Sequence, residues 1–284
     1  MDYLAIGHVT EDLWTDGITP GGPVLYASRT AVAWVDHVGV LTAAGPDFDA
    51  ATAFPGVGVH RLEAPSTTRF QNIYTEAGRK QIVWPCPVRI TVDDLTDEML
   101  ACRLAHLAPV CNELDAEIVK RLRPDTFLGV TPQGWLRRWD DQGVVYATEW
   151  EQAGLVLPRA NATVFSIDDV AGDWGVVRDW AAQTSVLVAT QASEGCTVFV
   201  NGEPTRVPAP GVEQLDPTGA GDIFAAVLFI ALQRGYDPIR ACQLSNFVAA
   251  ASVTYPHAAG FPHSGDIDRC AEAVRLGDLP RELK

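Results

Sequence analysis

The chain has 284 residues, 47% hydrophobic and 20% charged, which is enough apolar material for a large core and too much for a disordered polymer. Its 36 Asp and Glu against 21 Lys and Arg give a formal charge of −15, which excludes the clustered cations that grip nucleic acid or an anionic membrane surface. The longest apolar run, Ile223 to Leu232, is far shorter than the ~20 residues of a membrane span, the chain opens on Met-Asp-Tyr without a basic or apolar leader, and its six cysteines form no C-x-x-C pair, so the expectation is a cytoplasmic protein with reduced thiols.

Tyr3 to Gly7 is a short apolar run ending in glycine, as in a buried first strand that delivers a loop. After Gly21-Gly22-Pro23, the small and apolar residues from Val24 to Val35 fall at helical spacing, and Val38 to Ala43 reads as the next strand. The alternation from Arg69 to Thr75 and from Gln81 to Trp84, around a turn at Ala77-Gly78-Arg79, predicts a hairpin. Strands then follow at 104–108, 127–130, 162–167 and 186–190, with helices at 113–122 and 174–183 between them. Asp222 opens an apolar helix that stops near Gly235, and Asp237-Pro238 caps and starts another that runs toward Val253. Alternating strands and helices predict an α/β fold, a three-layer α/β/α arrangement around a mostly parallel sheet. With no long linker or repeat, the chain reads as one domain over 1–284 with a small β lid from about 12–20 and 67–85.

The chemistry concentrates in Asp216-Pro217-Thr218-Gly219-Ala220-Gly221-Asp222, just before the apolar stretch Ile223 to Leu228. Glycines let the backbone approach a ligand, and the first amides of the helix point outward at its positive end, where an oxyanion would be held. The Asp222 carboxylate beside that anion site can take a proton from a hydroxyl. By themselves these residues read equally as a turn followed by a capping Asp. Gly56-Val57-Gly58 lacks the third glycine of a dinucleotide fingerprint. His257 and His263 lack Cys or acidic partners at metal-ligand spacing, and most tryptophans read as core aromatics.

The whole segment from Asp216 to Asp222 resembles the C-terminal signature of the ribokinase-like (PfkB) family of carbohydrate and nucleoside kinases. The resemblance covers most of the chain and implies ATP, Mg2+ and a small polyol or sugar as ligands, with homodimerisation left open. It implies Asp222 as catalytic base, the amides of Gly219, Ala220 and Gly221 as the site that stabilises the migrating phosphoryl group, and Thr218 near the nucleotide. Asp216 matches a position that helps hold a monovalent cation such as K+. Gly7 to Asp12 is similar to the family's first strand and loop, which assigns Asp12 to substrate hydroxyls, with Gly21 and Gly22 as the family's di-glycine. Thr190-Gln191-Ala192-Ser193-Glu194-Gly195 looks like the nucleotide segment Thr-x-Gly-x-x-Gly with Ala192 in place of the first glycine. Ser166 and Asp169 stand where relatives carry Asn and Glu near Mg-phosphate, and Asn246 where they line the adenine pocket, with Ala258-Ala259-Gly260 also near the nucleotide. About nine residues separate Asp12 from Gly21, too few for long lid strands, and Pro23-Val24-Leu25-Tyr26 replaces Lys-Gly-Ala-Asn. Gly129 to Arg137 is similar to a segment of the inositol-kinase-like branch. That likeness implies a cyclic polyol such as myo-inositol, with Gln133 and Arg137 reaching the site or simply pinning a surface loop.

Overall fold

The computed structural model describes residues 1–15, 17–75, 78–255, 260–263 and 265–276, and side chains in the 74–79 hairpin turn are left aside. The strands in chain order are β1 (Tyr3–Ile6), β2 (Thr10–Trp14), β3 (Gly17–Gly21), β4 (Val38–Ala44), β5 (Gly58–Glu63), β6 (Thr68–Thr75), β7 (Gly78–Trp84) and β8 (Leu104–Leu107). They continue with β9 (Phe127–Val130), β10 (Arg137–Trp139), β11 (Val145–Ala147), β12 (Ala162–Ser166), β13 (Val186–Thr190), β14 (Cys196–Val200) and β15 (Glu203–Val207). The helices are α1 (Pro23–Val32), α2 (Ala50–Ala53), α3 (Asp97–Leu100), α4 (Ala153–Val156), α5 (Trp174–Ala181), α6 (Ala220–Gln233), α7 (Pro238–Ser252) and α8 (Asp266–Leu276).

Nine strands form the main sheet in the order β15-β14-β13-β12-β9-β8-β1-β4-β5, parallel from β13 through β5, with β14 and β15 added antiparallel at one edge. The alternation within β1 sets the layers, because Tyr3 and Ala5 join the core with α1, α6 and α7 while Leu4 and Ile6 join the core on the opposite face. Full burial of a side chain the size of Leu4 or Ile6 contributes about 1.5–3 kcal/mol. α6 is apolar on nearly all sides because it packs against the sheet at β8 and β9 and against both α1 and α7. Its Phe229 lies so close to Gly129 of β9 that any Cβ there would strike the ring.

A buried histidine inside this core shows how polar groups are satisfied. His106 of β8 meets the Tyr3 hydroxyl at 2.7 Å and Thr131 Oγ1 at 3.0 Å, and burial pushes its pKa down to about 3, so it is a neutral link between strands. On the other face Trp135 stacks on Trp150, which meets Trp180 edge-on, as expected for core aromatics; Trp84, in contrast, is exposed.

The second sheet has the order β3-β2-β6-β7, with hairpins β2–β3 and β6–β7 joined through the parallel pair β2–β6. The expected small β structure from 12–20 and 67–85 is thus a single four-stranded sheet, arising from the end of β1 and from the segment after β5.

The expected helix over 113–122 is instead a short 3-10 turn, Ala116–Lys120. The Glu113 carboxylate is buried and accepts the amides of His8, Val110 and Cys111, which holds the chain out of helical geometry, and Asp115 caps the turn through the Glu117 amide. Among the described residues no helix is long and apolar enough to cross a membrane, and the six cysteines are free.

Candidate functional site

Strands β1, β4, β8, β9, β12 and β13 run in one direction, so the loops at their C-terminal ends lie along one edge of the sheet. Gly7 follows β1, Gln133 follows β9, Ser166 ends β12 and Thr190 ends β13. The N-terminus of α6 faces the same edge.

That helix start is built without a side-chain cap. Gly219 is the N-cap at φ +79°, and no side chain accepts from the first turn, whereas α5 and α7 begin with capping Asp173 and Asp237. Gly219 is there for two reasons: the left-handed conformation, and the Tyr26 ring, into which an added Cβ would run. Gly221 differs, since a Cβ there would meet nothing within 4 Å. The amide end of the helix therefore looks onto open space. The preceding turn is fixed by the Thr218 amide donating to Asp216 Oδ1 at 2.9 Å and by the amides of Leu215 and Asp216, both donating to the Val253 carbonyl at the end of α7.

Asp222, in the first turn of α6, is half-buried, and its carboxyl is pushed up to about 7. Lost hydration is the largest cause; the Arg137 charge opposes it, and the negative charges of Asp169 and Asp12 reinforce it. Asp12 on β2, opposite Thr19 and Phe70, is pushed up to about 6 by burial first and Asp216 second. The structure thus brings Arg137, Asp169 and Asp12 within electrostatic reach of Asp222, and Asp216 within reach of Asp12, from four separate stretches of chain. Gly21 allows the close approach of its backbone to Asp12, because a side chain there would strike the carboxylate Oδ2.

Ser166 and Asp169 form a capping box on the turn Ile167–Val170: the Ser166 amide donates to Asp169 Oδ2 at 3.0 Å and the Asp168 amide to Ser166 Oγ at 3.2 Å. Gln133 is partly buried in the turn Pro132–Leu136 next to Arg137. Thr190 donates its hydroxyl to the Phe165 carbonyl at 3.3 Å, while Ala192 and Ser193 are exposed in the turn before Gly195. Ala192 has φ +48°, a left-handed conformation that suits glycine. Ala192→Gly should raise unfolding stability by about 1 kcal/mol, read as a rise in the thermal midpoint; an unchanged or lower midpoint would contradict the strain. Asn246 is buried in α7, and its amide nitrogen donates to the carbonyls of Val207 at 3.0 Å and Pro208 at 3.3 Å. This side chain is held by the main chain that follows β15, close to where Gly195 packs. His257 and Ala258-Ala259 lie outside the described residues.

Two residues without an assigned role in the motifs stand out in space. Tyr26 of α1 is buried beside Asp12, Asp216 and Asp222, whose charges, after burial itself, hold its hydroxyl protonated far above the ordinary range. Its ring stacks on Phe261 at 5.4 Å, and Arg29 lies 4.0 Å above the same Phe261 ring. Trp14 of β2 donates to Thr19 Oγ1 at 2.8 Å and lines a cavity of about 210 Å3 with Pro20, Tyr26 and Arg29. Neither carries a local signal, since both matter only through what folds against them; the one sequence hint was Tyr26 standing in the place of a familiar Asn.

Comparison with known proteins places this arrangement. Residues 176–263 match the model of the pfkB family carbohydrate kinases, a span that includes the glycine segment, α6 and α7. A cytidine kinase from Thermococcus kodakarensis is 24% identical over 266 residues, covering 85% of this chain and 92% of that protein. An inositol 3-kinase from Oryza sativa subsp. japonica is 31% identical over 258 residues, covering 84% of this chain and 63% of that protein. A pyrophosphate-dependent kinase of the ribokinase family, solved with a pyrophosphate analog and myo-inositol, superposes with a TM-score of 0.74 at 20% identity, over 96% of this chain and 99% of that one. Over residues 176–263 the chain is thus similar to the pfkB family carbohydrate kinases, and its fold is that of the ribokinase-family kinases.

Proposed function

We propose that the protein is an ATP-dependent kinase that transfers the γ-phosphoryl group to a hydroxyl of a small polyol or sugar, with a myo-inositol-like cyclic polyol as the first candidate. The observation that carries this reading is the Asp222 carboxyl, poised at about 7 beside the uncapped, open start of α6. A base with that pKa is about half ionised at neutral pH and can accept the proton of an attacking hydroxyl. The amides from Gly219 to Gly221 would stabilise charge on the transferred group, and Arg137 would add a cation at the same edge.

Asp12 would hold acceptor hydroxyls, with Gly21 and Gly22 letting the backbone close on them and Gln133 and Tyr26 bounding the site. The four-stranded sheet would act as the lid that excludes water. Thr190, Ala192, Ser193, Gly195, Thr218 and Asn246 would frame the nucleotide, and Asp216 would sit beside a monovalent cation. The carboxylates and hydroxyls at the edge are the hard donors that Mg2+ takes. Asp169 and Ser166, already engaged with each other, suit contact with Mg2+ through water, where the ion would supply charge neutralisation for the phosphates.

A panel of inositols, sugars and nucleosides, each with ATP or pyrophosphate as donor, tests the reading; binding of donor and acceptor without a phosphorylated product would overturn it. The likeness to a cytidine kinase over 85% of the chain makes a nucleoside the second acceptor class. Asp12→Asn should raise the acceptor KM at least tenfold and leave the donor KM within about twofold, as expected when a charged hydrogen bond to one substrate is weakened. An equal rise in both would remove Asp12 from the acceptor side.

A further inference from the structure

His8, Cys111 and Glu113 come together on the inner side of the root of the four-stranded sheet, all buried, with their ligand-type atoms within 4.8 Å of one another. His8 follows β1, while Cys111 and Glu113 follow β8. The His8 Nε2 is fully enclosed and makes no hydrogen bond of good geometry, an unfavourable state for a buried polar atom. The rest of the cluster is tightly arranged. His8 Nδ1 lies 3.2 Å from Thr68 Oγ1, which accepts the Cys86 amide at 3.0 Å and lies 3.9 Å from Cys111 Sγ. The tautomer in which Nδ1 donates to Thr68 leaves the imidazole lone pair on Nε2.

We propose that His8, Cys111 and Glu113 bind a thiophilic divalent cation of the zinc class. One imidazole nitrogen, one thiolate and one carboxylate make the three-ligand set that zinc accepts, whereas magnesium and calcium take oxygen alone. Zinc bonds of ~2.0–2.3 Å put tetrahedral ligands ~3.5 Å apart, so the cluster must contract by about 1 Å, within reach of side-chain rotation at His8 and Cys111. Thr68 fixes the imidazole, and the amides of His8, Val110 and Cys111 hold the Glu113 carboxylate, whose two oxygens each accept twice, so that one oxygen must release the shared Val110 amide to take the ion. Binding releases the Cys111 thiol proton to solvent, leaving a metal thiolate. Because Thr68 opens β6 and Cys86 follows β7, the ion would fasten both ends of that hairpin to the ends of β1 and β8. The ligand set uses none of the residues placed in the kinase site, and its test reads metal binding rather than kinase activity.

The full chain, made metal-free and fully reduced in a Cys270→Ser background to remove the one partly exposed thiol, is titrated with Co2+ and then Zn2+. One equivalent of Co2+ should bind with a near-ultraviolet thiolate-to-metal absorption, Zn2+ should displace it, and Zn2+ should raise the thermal midpoint. Cys111→Ser should abolish that absorption, and Cys111→Ser and His8→Gln should each weaken Zn2+ binding at least tenfold. The metal-free melting curve of Cys111→Ser serves as the folding check, and this variant carries the test alone if His8→Gln does not fold. Failure of the reduced protein to bind one equivalent, or a thiolate absorption that persists in Cys111→Ser, would overturn the proposal.

Discussion

Asp222→Asn is expected to lower turnover by about 10²–10⁴-fold, the loss that follows removal of a general base, with donor affinity retained. The pH profile provides the sharper measurement. With the Asp222 carboxyl pushed up to about 7, kcat/KM should climb about tenfold per pH unit below that value and level off above it. In the Asn variant the remaining activity should lose that limb. A variant with near-normal turnover, or a wild-type profile flat from pH 5 to 8, would sink the role of Asp222. Stability should move in the opposite sense. In the unfolded chain this carboxyl titrates near its ordinary 3.8, so between about 4 and 7 the folded protein holds a proton that the unfolded chain has released. Stability from this group is therefore complete below about 4 and lost as pH rises through about 7. At pH 8 Asp222→Asn should stabilise the fold by on the order of 1–3 kcal/mol, seen as a higher midpoint in denaturant, while at pH 4 the difference should shrink.

The second large effect separates two glycines only two residues apart. Gly221→Ala puts a methyl group into open space on a helix, so the fold should be unchanged or gain up to about 1 kcal/mol, while turnover falls about 10²-fold because the methyl stands where the phosphoryl group must pass. Gly219→Ala meets the Tyr26 ring and adds left-handed strain, so it should cost about 2–4 kcal/mol of stability as well as activity. Unfolding curves and turnover for the two variants distinguish a phosphoryl cradle from a merely tight turn. If Gly221→Ala keeps full activity, the space at the helix start is not used by the donor.

The two glycines also show where sequence reasoning stops. Their order before an apolar helix was legible, because turn and helix are local and short-range sterics decide them. The strands at 127–130 and 186–190 were legible for the same reason, as compact apolar runs bounded by polar breaks. The residues at 113–122 were not, because Glu113 is held out of a helix by the local amides of Val110 and Cys111 and by the His8 amide from the end of β1, more than a hundred positions away. The loops after β12 and β13 were given roles by resemblance alone, whereas the tie of Asn246 to the chain after β15 depends on α7 and β15 meeting in space.

The amino-acid sequence by itself determined the layered α/β class, the glycine-rich turn before an apolar helix and the two aspartates at opposite ends of the chain. Only the tertiary structure decided that Asp12, Arg137, Asp169 and Asp222 share one electrostatic environment, that Tyr26 closes it, and that the Asp222 carboxyl titrates near neutrality. The physical reason is that hydration and charge at a site depend on every element packed around it. Side-chain identity fixes what a residue can do, and burial fixes at which pH it does so.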